Sequence, residues 1–268
     1  MSLLGSLGLG FLGSGFRNYI TPTITWSPAP SGSTSTDGDY TILTVTSPST
    51  ITVVGTFVGA VDFMLVGKGG SSGPQNYGGG GGGGGLVYAT GKTLTETIGS
   101  YPVVVGSNVT FNGFTALQGG PTGATGGPDP TGSITAGRPG GSGGGSGRAG
   151  NWLGPLSIGG VGLQPAQPQS APSTQYGNPG FGPAASPSCT SGGGGAGSGG
   201  PQNTQQNIGG SGQAISITGS SITYGAGGPA PPRCPNVAPV SGLAVPNTSG
   251  RGGGGAIPGS LIIRYPTQ

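Results

Sequence analysis

Eight consecutive glycines, residues 78–85, lie between Tyr77 and Leu86 and constrain the possible folds of this chain more than any other feature. Such a run has no side chains with which to build a hydrophobic core. Ordering each backbone unit costs roughly 1–2 kcal/mol, and glycine lies at the costly end of that range. The run is therefore either a loose linker or a segment that neighbouring parts of the chain stabilise through its backbone.

Glycine and proline together make up about a third of the 268 residues, with 67 glycines and 26 prolines. That share is typical of low-complexity or disordered sequences. Disordered chains are usually rich in charge, however, and this one has only eight Lys and Arg and five Asp and Glu residues. The basic residues are scattered along the chain, so binding of nucleic acid through phosphate neutralisation is not expected.

Further glycine runs, "GRPGGSGGGSGRAG", "CTSGGGGAGSGG" and "GRGGGGA", recur in the second half of the chain without the strict third-residue period of collagen. An extended left-handed threefold helix rises about 3.1 Å per residue and makes no internal hydrogen bonds. Such helices can bond to one another when no side chain separates them, at roughly 1 kcal/mol net per conventional hydrogen bond. The runs therefore predict a packed bundle of backbone helices, about 25 Å long for eight residues, with loops at the ends.

Between the glycine runs, hydrophobic segments follow the two-residue period of β-strands, and no segment shows a helical period. The predicted strands lie in "DYTILTVTS", "TITVVGTFVG", "VDFMLVG", "LVYATGKTLTETIGSYPVVVG", "NVTFNGFTAL", a hairpin around Gly219 and Ser220, and "GSLIIRYP". The predicted inward positions are Val87, Leu94, Ile98, Val103 and Val105. The fold class is mainly β and irregular, with short antiparallel strands, a bundle of glycine helices and essentially no α-helix.

The first sixteen residues, "MSLLGSLGLGFLGSGF", are apolar but shorter than a membrane span, and they lack the features of a secretory signal. They are either a flexible tail or a docking segment that buries its large side chains against a partner. The docking candidates are Leu3, Leu4, Leu7, Leu9, Phe11, Leu12 and Phe16. We divide the chain into this segment with a Pro/Ser/Thr linker (1–36), a β-rich base with the first glycine run (37–118), and a glycine-rich lattice with Pro-rich excursions and a closing strand (119–268).

The order of these motifs resembles the glycine-rich domain at the ends of bacteriophage tail fibres and of tip adhesins. The matching elements are Tyr101, Val103, Val105 and Gly106, then "YGAGG" at 224–228, then "LIIRY" at 261–265. The resemblance covers roughly residues 40–268, although the Pro-rich excursions at 163–188 and 229–248 depart from the family pattern. It implies a sandwich of polyglycine II helices whose loops bind a host receptor and an N-terminal segment that attaches to the particle.

The residues needed for common catalytic sites are missing or scattered. The chain has no histidine, which excludes His-based acid–base chemistry and His metal ligands. The five acidic residues are far apart in sequence, and no catalytic, cofactor or metal site is expected, so the protein is not expected to be an enzyme. Cys189 and Cys234 either pair with each other or remain two thiols.

Binding residues are expected in the Gly/Pro-rich excursions. Aromatic rings in loops suit sugar faces and apolar receptor patches because they offer large contact area with few rotors to order. The receptor-binding candidates are Arg148, Trp152, Tyr176, Phe181 and Arg233. The alternative is that the aromatic rings cap the glycine lattice or pack between subunits.

The sequence thus favours a non-enzymatic virion protein, a tail-fibre or tail-tip adhesin. Its expected partners are other virion proteins through the N-terminal segment and a host cell-surface glycan or outer-membrane protein. A homotrimer is possible, and nucleic acid is not an expected partner. The alternatives are a capsid decoration or head-fibre protein without receptor contact, and a secreted glycine-rich matrix protein, which the missing signal sequence disfavours.

Overall fold

The computed structural model describes residues 23–27, 31–54, 61–72, 79–92, 100–123, 136–147, 159–166, 173–182, 191–199, 209–229 and 259–267. These residues form three antiparallel sheets and contain no α-helix. The first sheet has the order β1 (Thr23–Ser27), β4 (Ser49–Val54), β7 (Ser100–Val105), β8 (Val109–Phe111), β9 (Phe114–Ala116). The second has the order β10 (Ser173–Tyr176), β6 (Leu86–Lys92), β5 (Val61–Val66), β13 (Ser260–Pro266), β3 (Tyr40–Val45), β2 (Gly32–Asp37). The third is the hairpin of β11 (Gln213–Ile215) and β12 (Ile222–Tyr224).

The first two sheets pack face to face as a sandwich. Alternate residues of β7, such as Tyr101 and Val103, point into it because successive side chains of a strand face opposite sides. At its centre the fully buried ring of Phe63 meets the rings of Phe111 and Phe114 edge-to-face, each at a centroid distance of 5.1 Å. Aromatic pairs favour this arrangement over face-to-face stacking.

The outer face of the second sheet carries a smaller core. Met64 and Ile262 pack there with Tyr224 of the β11–β12 hairpin and with Ala196. The hairpin therefore covers one side of the sheet while the first sheet covers the other, which explains why β5 and β13 are buried along most of their length.

Glycine-rich segments extend the sandwich at one of its ends. β5, β9 and β12 run directly into such segments there, and β6 begins directly after one. The segments are 67–72, 79–85, 117–123, 136–147, 159–164, 177–182, 191–199, 209–212 and 225–228. We call this bundle the lattice. Its central segment, 79–85, is buried throughout and makes backbone hydrogen bonds with five of the other segments.

The hydrogen bonds of the lattice recur every third residue. Gly80 and Gly83 both donate to the 191–199 segment, at 2.9 Å, and Gly67 and Gly70 donate to the central segment at 2.9 and 2.8 Å. A helix with three residues per turn presents every third N–H to the same neighbour. The predicted bundle of polyglycine II helices and the mainly β fold class are therefore confirmed.

Most strand predictions are also confirmed, including the closing strand and the hairpin around Gly219. Val87, Val103 and Val105 are buried as predicted, whereas Leu94 and Ile98 lie outside the described residues. Three strands were not predicted. β1 and β2 fall in the stretch expected to be a linker, and β10 falls in a Pro-rich excursion.

Candidate functional site

The lattice has one end at the sandwich and one end remote from it, which we call the distal end. Residues that flank five stretches of chain lie together there: both flanks of 73–78, 124–135, 148–158 and 183–190, and the first flank of 230–258, whose second flank, Gly259, lies against Val66 at the sandwich end. The flanking residues are linked by backbone hydrogen bonds: Thr122 donates to Ser71 at 3.0 Å, and Gly123 donates to Gly145 at 3.1 Å. The stretches themselves lie outside the described residues, but their points of attachment converge.

Further lattice residues at or next to the flanks belong to the same network. Gly80 donates to the carbonyl of Ser191, Ser191 donates to that of Ser146, and Ser146 donates to that of Phe181, over 2.9 to 3.2 Å. Gly228 donates to Gly81 at 2.8 Å. A single bonded layer of backbone thus lies where each of these stretches starts.

Two buried serine hydroxyls reinforce this layer. The Oγ atoms of Ser146 and Ser191 are 2.8 Å apart, and the Ser191 hydroxyl donates to the Phe181 carbonyl at 2.5 Å. The Ser146 N–H also donates to the Ser191 hydroxyl, at 2.8 Å. Because buried polar groups with partners hold neighbouring segments in register, these serines fix three lattice segments relative to one another at their distal end.

Two of the predicted receptor-binding residues lie among the described residues. Phe181 is only 5% exposed and lies in the lattice, where its N–H donates to the Gly192 carbonyl at 3.2 Å. Its burial favours the alternative in which the aromatic rings cap the lattice. Tyr176 is half-buried at the end of β10, beside Leu86 of β6, and packs against the core under the hairpin. The structure does not bring these two rings together at the distal end.

The other three receptor-binding candidates, Arg148, Trp152 and Arg233, lie outside the described residues. Arg148 directly follows Gly147, the last described residue of its lattice segment, so the stretch that carries Arg148 and Trp152 starts from the distal layer. Cys189 and Cys234 also lie outside the described residues.

An arginine that the sequence analysis did not select is exposed on the lattice. The backbone of Arg138 is fixed on both sides, since its N–H donates to Pro121 at 3.1 Å and its carbonyl accepts from Gly144 at 2.9 Å. Apart from Lys68, it is the one charged residue in the described lattice segments. The sequence could have indicated Arg138 as a candidate, because it is a basic residue with no acidic residue close to it in the sequence.

The described residues contain no group of His, Cys, Asp or Glu side chains placed to hold a metal ion. Across the same residues there is no helix of the length and hydrophobicity needed to cross a membrane.

The N-terminal segment joins β1 at the opposite end of the molecule. Ala116 leads into the lattice and pairs with Val109, which in turn pairs with Val105. Along the antiparallel neighbour β4, Val54 is therefore at the end remote from the lattice, and Thr23 pairs with it. Leu3, Leu4, Leu7, Leu9, Phe11, Leu12 and Phe16 lie outside the described residues, but they precede a strand whose first residue is at the far end of the sandwich.

Comparison with known proteins finds no matching family model, no similar curated protein and no similar solved structure.

Proposed function

We propose that this protein is a non-enzymatic phage virion protein, a tail-fibre or tail-tip adhesin that displays receptor-binding segments on a polyglycine II lattice. The receptor class we propose is a host cell-surface glycan or outer-membrane protein. The main support for the proposal is that the N-terminal segment and the connecting stretches are joined to opposite ends of the described structure. Thr23, to which residues 1–22 are joined, lies at one end of the molecule, while the residues from which five connecting stretches start lie at the other.

This arrangement suits an attachment protein for a physical reason. A lattice held by backbone bonds between its own segments depends little on the sequence of the stretches that join those segments. The composition of a joining stretch is then free to suit a receptor, and its roots stay fixed by the serine layer. Arg148, Trp152 and Arg233 are the side chains we propose for receptor contact, with Arg138 as a fourth.

The direct test is adsorption of the parent particle to its host after replacement of residues 148–158 by a Gly/Ser stretch of equal length. We expect adsorption to fall by at least roughly tenfold, equivalent to about 1.4 kcal/mol, with the thermal stability of the purified protein unchanged. The matched control replaces residues 55–60, which join β4 to β5 at the opposite end. Equal adsorption by wild type and by variants of all five distal stretches would contradict the proposal.

Immunogold labelling of the particle with an antibody against residues 119–260 separates this function from its alternative. Gold at the fibre or tail tips supports an adhesin. Gold over the head supports a capsid decoration or head-fibre protein, and the distal residues would then have no role in receptor binding.

A further inference from the structure

The first sheet is split at the end of the sandwich remote from the lattice. β7 pairs with β8 only at Val104 and Val105, and beyond them β7 continues beside β4 alone. A groove of about 330 Å³ lies where the two parts separate, between residues 100–102 of β7 and residues 110–115 of the β8–β9 hairpin. Its walls include the aromatic residues Tyr101, Phe111 and Phe114.

A buried ammonium group without a partner lies beside this groove. Lys92, the last residue of β6, is 5% exposed, and its Nζ atom has no hydrogen-bond partner. The Nζ atom is 5.4 Å from the ring centroid of Phe114, which lines the groove. A cation over an aromatic ring gains some stabilisation, but this does not replace hydrogen bonds from an ammonium that has lost its water.

No acid among the described residues neutralises this charge. Asp62, which lies near the bulge opposite β6, faces the other side of the sheet, where its carboxylate accepts the N–H of Gly91 at 3.0 Å. Buried charges in proteins are normally paired. The unpaired lysine therefore indicates that a carboxylate is supplied from outside the described residues.

We propose that this groove is a docking site for a polypeptide segment of another protein that carries an aromatic or apolar side chain next to a carboxylate. The side chain would occupy the split between β7 and the β8–β9 hairpin, and the carboxylate would pair with Lys92. The protein's own N-terminal segment does not suit the site, because residues 1–22 contain Arg17 and no acidic residue.

The position of the groove agrees with a role in assembly. It lies at the same end of the sandwich as the start of β1, opposite the distal layer of the lattice. The identity of the partner as another particle protein rests on the proposed function. The carboxylate site itself stands on the groove and the lysine, and it goes beyond receptor binding.

The test uses the purified full chain and N-acetylphenylalanine as the probe, with the neutral N-acetylphenylalaninamide as its matched control. Binding is followed through the backbone amide NMR shifts of Asn112 and Gly113, at the tip of the β8–β9 hairpin. We expect saturable shifts with the acid and roughly tenfold weaker binding of the amide. Lys92→Met should abolish this preference while leaving the weak binding of the amide intact.

Two results would overturn the proposal. One is the absence of saturable shifts, or equal affinity for acid and amide in the wild type. The other is binding of the acid by the Glu96→Gln variant but not by the wild type, because Glu96 would then be the internal partner of Lys92. Neither result depends on whether the distal stretches bind cells, so this site and the proposed function fail separately.

Discussion

Glycines in the lattice and glycines in turns are required for different reasons. Gly113 adopts a φ of 80° after Asn112 at 48°, and this left-handed pair makes the tight turn between β8 and β9. Gly83 has no such dihedral requirement. A Cβ atom at Gly83 would instead overlap the carbonyl of Gly225 in the next segment. The lattice therefore selects glycine through the distance between backbones.

This difference can be measured with two alanine variants. Gly83→Ala should lower the free energy of unfolding by about 1–3 kcal/mol or more, because the new methyl group must separate two bonded segments. Gly106→Ala is the matched control, since the nearest atom to its Cβ would be the Asn108 carbonyl oxygen at 3.9 Å. The control should be neutral or stabilising by about 0.4–1 kcal/mol. Equal denaturant midpoints for the two variants would contradict a close-packed lattice.

Lys92 gives a second residue-level prediction, in the pH dependence of stability. Burial lowers the pKa of Lys92 below 10.5, so between the folded-state pKa and 10.5 the unfolded chain binds more protons than the folded chain. The Lys92 contribution therefore makes stability increase as the pH rises toward 10.5. Lys92→Met should raise stability at pH 7 by on the order of 1 kcal/mol, and this gain should shrink at higher pH.

The measurement is urea unfolding between pH 7 and 9.5, with Lys68→Met, which removes a half-exposed lysine, as the control. The upper pH limit keeps the measurement below the ordinary pKa of tyrosine. Burial raises the pKa of Tyr224 above 10.0 despite the opposing hydrogen bond to Thr218, so its contribution to stability is lost as the pH rises above 10.0. Equal stability of Lys92→Met and wild type at pH 7, or a difference that grows as the pH rises, would contradict burial of the Lys92 charge.

Among the elements, β13 has the greatest influence on the sandwich. It is the last strand in sequence, yet it lies between β5 and β3 in the second sheet. Leu261 and Ile263 face the inter-sheet core, and Ile262 faces the smaller core under the hairpin. Both cores and both halves of the sheet therefore remain incomplete without β13.

Truncation after Gly259 should consequently abolish cooperative unfolding, because β2 and β3 lose their connection to β5. Truncation after Pro266 is the control and removes only Thr267 and Gln268, at the cost of the backbone bond from Thr267 to Asp39 and the hydroxyl contact between Thr267 and Thr41. Circular dichroism melts and limited proteolysis distinguish the two proteins. A sharp melt of the shorter protein, close to that of the control, would show that β13 is an accessory strand.

The sequence predicted those elements whose residue pattern by itself requires a particular backbone structure or a buried face. The alternation in β3 and β7 and the apolar run of β13 each require burial on a given face, and the structure buries Leu43, Val103 and Ile262 accordingly. The lattice was predictable because a run without side chains is stable only when backbones bond to one another. β2 was not, since its sequence, GSTSTD, is exposed almost throughout and β3 is its one partner strand.

The candidate site was predictable only in part. The sequence placed Phe181 among exposed loop aromatics, but its burial depends on which lattice segments surround it, and no local pattern contains that information. Ser146 and Ser191 flank glycine runs as many other serines do, and only the three-dimensional neighbours distinguish them. That the Lys92 ammonium has no hydrogen-bond partner likewise depends on how the two sheets pack, which no local sequence pattern contains.

At the scale of the whole molecule, the chain passes between its two ends several times. β5 ends at the lattice and continues through Gly67, and the chain returns along the central segment into β6. The residues from which the connecting stretches start are thereby separated from β1, the groove and Lys92 by the length of the lattice and the sandwich. The lattice contributes about 20 Å of that separation for seven residues.

This polarity predicts where inserted labels appear on the particle. A compact epitope tag placed before Met1 should be poorly accessible to antibody on the intact particle, because that end faces the docking partner. The same tag inserted within residues 124–135 should be fully accessible and lie farthest from the particle body in negative-stain images. In the purified protein both tags should bind antibody equally, at opposite ends of the molecule. Equal accessibility of both tags on the particle would show that the protein is held sideways, and the distal stretches would then have no special access to a host.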